Sequence, residues 1–263
     1  MFPLQRLGID VWPIHTVQFS NHTGYGAWRG QVFDASLIRD LVACIEERGV
    51  LSECDGVLSG YMGSAEIAEA ILDAVAAVKR ANPAAHYCCD PVIGDVGRGV
   101  FVREGVPEFM RDKALPAADV VTPNQFELDV LSGRESGTLK QALDAVQRLR
   151  DAGPRAVLVT SLHTAETPAE CIDLLAADET GSFRVRTPKL PLSINGAGDA
   201  IAALFFAHYL RSGHVDEALV QAASAIFGVL NKTMEAGSRE IQLIAAQDEL
   251  VKPSRVFEPE LIR

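Results

Sequence analysis

Short unbroken apolar runs alternate along this chain with longer stretches in which apolar positions recur at helical spacing. Residues 36 to 48 and 64 to 80 each carry one apolar stripe and predict amphipathic helices. Between them, Asp55–Gly60 predicts a short buried strand that ends in a turn. Residues 86 to 90 predict a strand, followed by a glycine-rich loop through about residue 105. Residues 118 to 122 read as a strand, 124 to 132 as the start of a helix, 138 to 152 as a helix and 156 to 161 as a strand. Two strands near 171 to 176 and 182 to 187 predict an antiparallel pair. Two long apolar helices follow, 197 to 212 and 215 to 234. At the start, residues 2 to 8 look like the tail of a helix. Residues 10 to 19 read as a strand whose Pro13 marks an irregular edge.

Strands that alternate with helices require crossover connections. The prediction is an α/β fold, with a mostly parallel central sheet and helices on both faces. At 263 residues the chain fits one large domain. Ligands of such sheets gather at the carboxyl ends of the strands. The polar clusters fall there: Ser59-Gly60-Tyr61, Asp90, Thr122, Thr160-Ser161 and the turn at 195 to 199.

That last turn, Asn195-Gly-Ala-Gly-Asp199, runs directly into the helix at 197. Gly196 and Gly198 let the backbone turn tightly and approach a bound group. The unpaired amides of a helix start favour an anion such as phosphate. Asp199 lies in the first turn, where its charge would repel that anion unless it had a task, such as taking a proton from an attacking hydroxyl. A plain glycine turn with a helix-stabilising aspartate is the alternative.

Charge narrows the partners. The chain carries 24 basic and 35 acidic residues, a net charge of −11, without a Lys/Arg cluster. Nucleic acid and anionic membranes are therefore poor partners. A nucleotide would depend on helix N-termini and a bound cation. The five cysteines are odd in number and form no C-x-x-C pair, which fits a reducing cytoplasm. The six histidines show no paired metal spacing. No signal peptide or membrane span is legible.

Four motifs carry a resemblance to the ribokinase-like superfamily, and within it to the pyridoxal kinases. They are Phe19-Ser-Asn-His-Thr-Gly-Tyr-Gly26, Cys89-Asp-Pro-Val-Ile-Gly-Asp95, Thr122-Pro-Asn-Gln-Phe-Glu127 and Asn195-Gly-Ala-Gly-Asp199. The first resembles the segment that closes over the vitamin ring and is the specific one. The resemblance implies ATP-dependent phosphorylation of the 5′-hydroxyl of pyridoxal, and of pyridoxine and pyridoxamine, in vitamin B6 salvage. It implies Asp199 as general base and the amides of Gly196, Ala197, Gly198 and Asp199 around the transferring phosphoryl group. Phe19, Thr23, Tyr61 and Asp199 would contact the vitamin. Asp90, Asp95, Thr122, Asn124, Glu127, Thr160, Ser161, Leu192, Asn195, Gly196 and Gly198 would line the ATP site. Asp90 and Glu127 would hold Mg²⁺ and its waters, since Mg²⁺ takes few protein carboxylates. A monovalent cation such as K⁺ and a homodimeric assembly complete the implied picture. The glycines of the 92 to 105 loop imply a lid, and His22 is expected as a turn hydrogen-bonder.

Two departures from the pattern stand out. The family's first strand and its Ser-containing glycine turn have no counterpart here, so the chain reads as short by roughly 20 residues at its start. Phe101 stands where an aromatic hydroxyl is common. Two other readings remain open: a kinase of hydroxymethylpyrimidine or another small alcohol, and a vitamin-binding protein without turnover.

Overall fold

A computed structural model describes residues 1–262. Helix α1 (Phe2–Arg6) opens the chain. Strands β1 (Val17–Phe19) and β2 (Gly30–Val32) form a small antiparallel sheet of their own. Helix α2 (Ala35–Glu47), β3 (Gly56–Ser59), α3 (Ala65–Ala81) and β4 (His86–Cys89) follow. A hairpin of β5 (Gly94–Asp95) and β6 (Gly99–Val100) comes next. Beyond it lies a helical stretch made of α4 (Val106–Phe109), a π-turn over Met110–Ala114 and α5 (Leu115–Ala117). Then come β7 (Val120–Val121), α6 (Gln125–Ser132), α7 (Leu139–Ala152), β8 (Ala156–Leu162), β9 (Cys171–Asp178) and β10 (Gly181–Pro188). Helices α8 (Ala197–Ser212) and α9 (Val215–Glu235) and the strand β11 (Glu260–Ile262) complete the order.

The main sheet has seven strands in the order β11-β10-β9-β8-β7-β4-β3. Strands β3, β4, β7 and β8 run parallel, and β8, β9, β10 and β11 pair antiparallel. The sheet is thus mixed, less parallel than the alternation of elements predicts. The connection between β9 and β10 is a tight turn at Glu179-Thr180, too short for a crossover. The parallel half carries the candidate site.

Successive strand residues point to opposite faces, and both faces are covered. Tyr87, Cys89, Val157, Val159, Leu175 and Ala177 join the core under α3, α6 and α7. Cys88, Ala156, Leu158, Leu174 and Ala176 join the core under α8 and α9. Double burial explains why these strands read as unbroken apolar runs.

The reading of residues 10 to 19 as one strand does not hold. Only Val17–Phe19 is strand, and its partner is β2, outside the main sheet. Residues 9 to 16 have no regular structure, and Pro13 in their midst cannot donate to a ladder. The early helix ends at Arg6 and packs on α8.

Candidate active site

The site is built from the glycine turn outward. Gly196 is the N-cap of α8, with φ +86°, a left-handed conformation that glycine adopts without steric cost. It has no side chain to cap the helix, so the first-turn amides are left for an external acceptor. A Cβ on Gly198 would meet nothing within 4 Å, so the turn has open space in front of it. Asp199 is exposed in the same turn. A Cβ built on Gly60, just beyond the end of β3, would lie 3.9 Å from Asp199 Oδ1. The glycine turn and the β3 end therefore face each other.

Asp90 follows β4 and is buried. The buried Thr122, at the end of β7, donates its hydroxyl to Asp90 Oδ1 at 2.9 Å. Asp90 Oδ2 accepts no hydrogen bond among the described residues. Burial, and then the charges of Glu127 and Asp199, hold Asp90 well above the usual carboxylate range. Glu127 is also buried, and its pKa is pushed up to about 7 by desolvation, against the pull of three backbone amides. Those amides belong to Ile93 (3.0 Å) and Gly94 (3.4 Å) on Oε1 and to Asn124 (2.9 Å) on Oε2. Asn124 completes a capping box at the start of α6, and its Nδ2 donates to the Gly94 carbonyl at 2.8 Å. Asp90, Glu127 and Asp199 thus place like charges near one another, and a cation would relieve them. Among the described residues no group of three His, Cys, Asp or Glu side chains could hold a metal ion alone.

Thr160 is buried near the end of β8 and bridges in parallel to Asn124. Its neighbour Ser161 has φ +53°, the single non-glycine residue at positive φ among the described residues, and the β8–β9 register shifts there. A bulge and a left-handed serine at a strand end re-aim the backbone toward the site. Leu192 and Asn195 lie in the irregular approach to the glycine turn and are partly buried.

On the other side, Phe19 packs on Trp28 with ring centroids 4.2 Å apart and faces Tyr61 at 6.4 Å. Thr16 donates to the Tyr61 carbonyl at 2.6 Å, tying this segment to the end of β3. Thr23 opens a 3₁₀ turn over Thr23–Tyr25, and His22 Nδ1 accepts from the Gly24 amide at 3.0 Å. His22 is the turn hydrogen-bonder expected of it. A Cβ on Gly24 would approach Asn195 Oδ1 to 3.0 Å. The 19–26 segment therefore lies against the glycine turn.

Two features were not legible in the chain. Tyr25 donates its hydroxyl to the Arg239 carbonyl at 3.0 Å, and the Arg239 guanidinium sits over the Tyr25 ring. Phe126 packs against Gly94, where a Cβ would collide with the ring and with the Gly99 carbonyl. No periodicity announces either contact. Asp95, expected near ATP, is exposed on the hairpin and accepts from its neighbour Val96.

The parallel half-sheet, the glycine turn and the buried carboxylates define the class. A model of the phosphomethylpyrimidine kinase family matches residues 35–243, and the chain belongs to that family, within which it groups with the pyridoxal kinases. A pyridoxal kinase PdxY of Granulibacter bethesdensis is 57% identical over 261 residues, covering 98% of this chain and 91% of the relative. That of Deinococcus radiodurans is 54% identical, covering 100% and 90%. Among solved structures, the pyridoxal kinase from Leishmania donovani in complex with ADP and pyridoxamine superposes with a TM-score of 0.90. It is 30% identical and covers 100% of this chain and 92% of that one. Its complex with ADP and ginkgotoxin gives 0.92 at 31% identity, with the same coverage.

Proposed function

We propose that this chain transfers the γ-phosphoryl group of ATP to the 5′-hydroxyl of pyridoxal, and of pyridoxine and pyridoxamine, for vitamin B6 salvage. The observation that carries the assignment of residues is the close approach of Gly24 to Asn195, whose Oδ1 would lie 3.0 Å from a Cβ on Gly24. It joins the aromatic segment suited to a flat ring to the turn suited to a phosphate. Phe19, Thr23 and Tyr61 hold the ring. Asp199 accepts the proton of the attacking hydroxyl. The amides of Gly196, Ala197, Gly198 and Asp199 stabilise charge on the transferring group. Thr122, Asn124, Thr160, Ser161, Leu192 and Asn195 border the nucleotide, and Asp95 rides on the hairpin above it.

Asp90 would hold Mg²⁺ through its unengaged oxygen, with Glu127 reaching no further than the ion's waters. When bound, the ion neutralises phosphate charge that an acidic protein cannot. The hairpin at 94–100 serves as a lid. Val96 and Val100 on it and Phe101 just after it are 66%, 51% and 49% exposed, apolar surface that a covered ligand would bury. Leu37 and Leu41, exposed on one face of α2, support assembly as a homodimer. The five free cysteines support a reducing cytoplasm, and no helix among the described residues is long and apolar enough to cross a membrane.

The test is phosphorylation of pyridoxal and hydroxymethylpyrimidine in parallel with Mg²⁺ and ATP. The family match keeps the second substrate in view. The expected result is a higher kcat/KM for pyridoxal. Preference for the pyrimidine would overturn the substrate, and binding of pyridoxal without turnover would overturn the activity.

A further inference from the structure

Three of the four residues from Asn124 to Glu127, at the start of α6, close on one point of the chain. Asn124 Nδ2 donates to the Gly94 carbonyl at 2.8 Å. The Phe126 ring packs where a side chain on Gly94 would be. Glu127 Oε1 accepts from the amides of both Ile93 and Gly94, at 3.0 and 3.4 Å. Its Oε2 is taken by the amide of Asn124 at 2.9 Å. A carboxylate with both oxygens on backbone amides has little left with which to bind a cation directly.

The hairpin has little other support. Its two strands are two residues each, and its apolar side chains face solvent. A two-stranded ribbon of that size has no stability of its own. Its position is therefore set at its root, where Ile93 and Gly94 leave the end of β4. Gly94 is the position that allows the grip, since any larger residue would push Phe126 and Gly99 apart.

We propose that Glu127, with Asn124 and Phe126, is a positioning residue that fixes the root of the lid, and is not a direct ligand of the nucleotide's cation. This inference rests on the kinase reading for its catalytic consequence, but its structural half does not. A lid held at its root closes in one register and excludes water from the phosphoryl group. A lid loose at its root lets water compete with the vitamin hydroxyl.

The experiment compares wild type with Glu127→Gln and Phe126→Ala. Three quantities are read: hydrogen exchange of residues 93–100 without ligand, the ratio of ATP hydrolysed to vitamin phosphorylated, and the Mg²⁺ concentration for half activation. Both variants are expected to speed exchange at Ile93 and Gly94 by at least about tenfold and to raise wasteful hydrolysis. In Phe126→Ala, which touches neither the ion nor its waters, half activation by Mg²⁺ should stay within about twofold of wild type. Phe126→Tyr, which keeps the ring, should restore exchange and coupling. If Glu127→Gln does not fold, Phe126→Ala alone reads the same quantities. The proposal is overturned if Glu127→Gln shifts Mg²⁺ activation while exchange at 93–94 is unchanged. It is equally overturned if Phe126→Ala matches wild type in exchange and coupling. Exchange is measured on ligand-free protein, so its outcome stands even if the vitamin substrate proves wrong.

Discussion

Thr122 donates its hydroxyl to Asp90 Oδ1 at 2.9 Å across the ends of two neighbouring parallel strands. That bond fixes one oxygen of a buried carboxylate and leaves the other available. With Glu127 and Asp199 nearby, the pocket carries more negative charge than its surroundings can satisfy. In the proposed function a cation and a nucleotide complete it.

Asp199→Asn is expected to fold and bind ATP while kcat for pyridoxal falls about 10²- to 10⁴-fold. The side chain is exposed, so the core is not disturbed. Steady-state kinetics check this, and a variant that keeps more than about a tenth of kcat removes Asp199 as the base.

Nucleotide binding is expected to depend strongly on Mg²⁺. No Lys or Arg is among the residues proposed around the phosphates, and the carboxylates there repel them. Calorimetric titration of ATP with Mg²⁺ and with a chelator measures the difference. Equal affinities in the two conditions would contradict it.

Stability without ligand is expected to fall as pH rises from about 4.5 to about 7. Glu127 has its pKa raised on folding from 4.5 to about 7, so the folded state binds more protons in that window. Asp90 is raised as well and acts in the same sense. Thermal melts across the window, compared with Glu127→Gln, isolate the effect. The variant should show the shallower decline, and parallel curves would refute the assignment.

Gly24→Ala is expected to raise KM for pyridoxal more than KM for ATP. Its Cβ would come within 2.9 Å of His22 Nδ1 and 3.0 Å of Asn195 Oδ1. Crowding of this kind costs about 1 to 2 kcal/mol, a factor of roughly 5 to 30. Unchanged kinetics would mean that the 19–26 segment lies elsewhere when the vitamin binds.

The tip of the proposed lid, residues 96 to 98, is expected to exchange fast in the free protein and to be protected by ATP. Val96 is exposed and the turn is glycine-rich. Exchange measured with and without nucleotide decides the point, and strong protection of the tip in the free protein would rule out a lid.

Most of the helices and main-sheet strands are legible because each announces itself locally; α4, α5 and β11 are absent from the sequence reading. The stripes of α2 and α3 and the doubly buried runs of β8 and β9 depend on neighbours a few residues away. The glycine turn was legible for the same reason, since Gly196 and the α8 start are adjacent in the chain. Resemblance, more than periodicity, supplied the vitamin segment. What only the tertiary structure decided depends on distant chain meeting chain. Residues 10 to 15 are not strand because the β2 edge ends at Phe33, whose amide donates to the Thr16 carbonyl. The sheet became evenly mixed because β8 and β9 pair antiparallel after an irregular loop. The resemblance implies that Glu127 holds Mg²⁺ and its waters. One Glu127 oxygen takes the amides of Ile93 and Gly94, more than thirty residues away, and the other takes the amide of Asn124 in the local capping box. A carboxylate's partners are set by whatever polar groups folding buries beside it, and no local pattern encodes that.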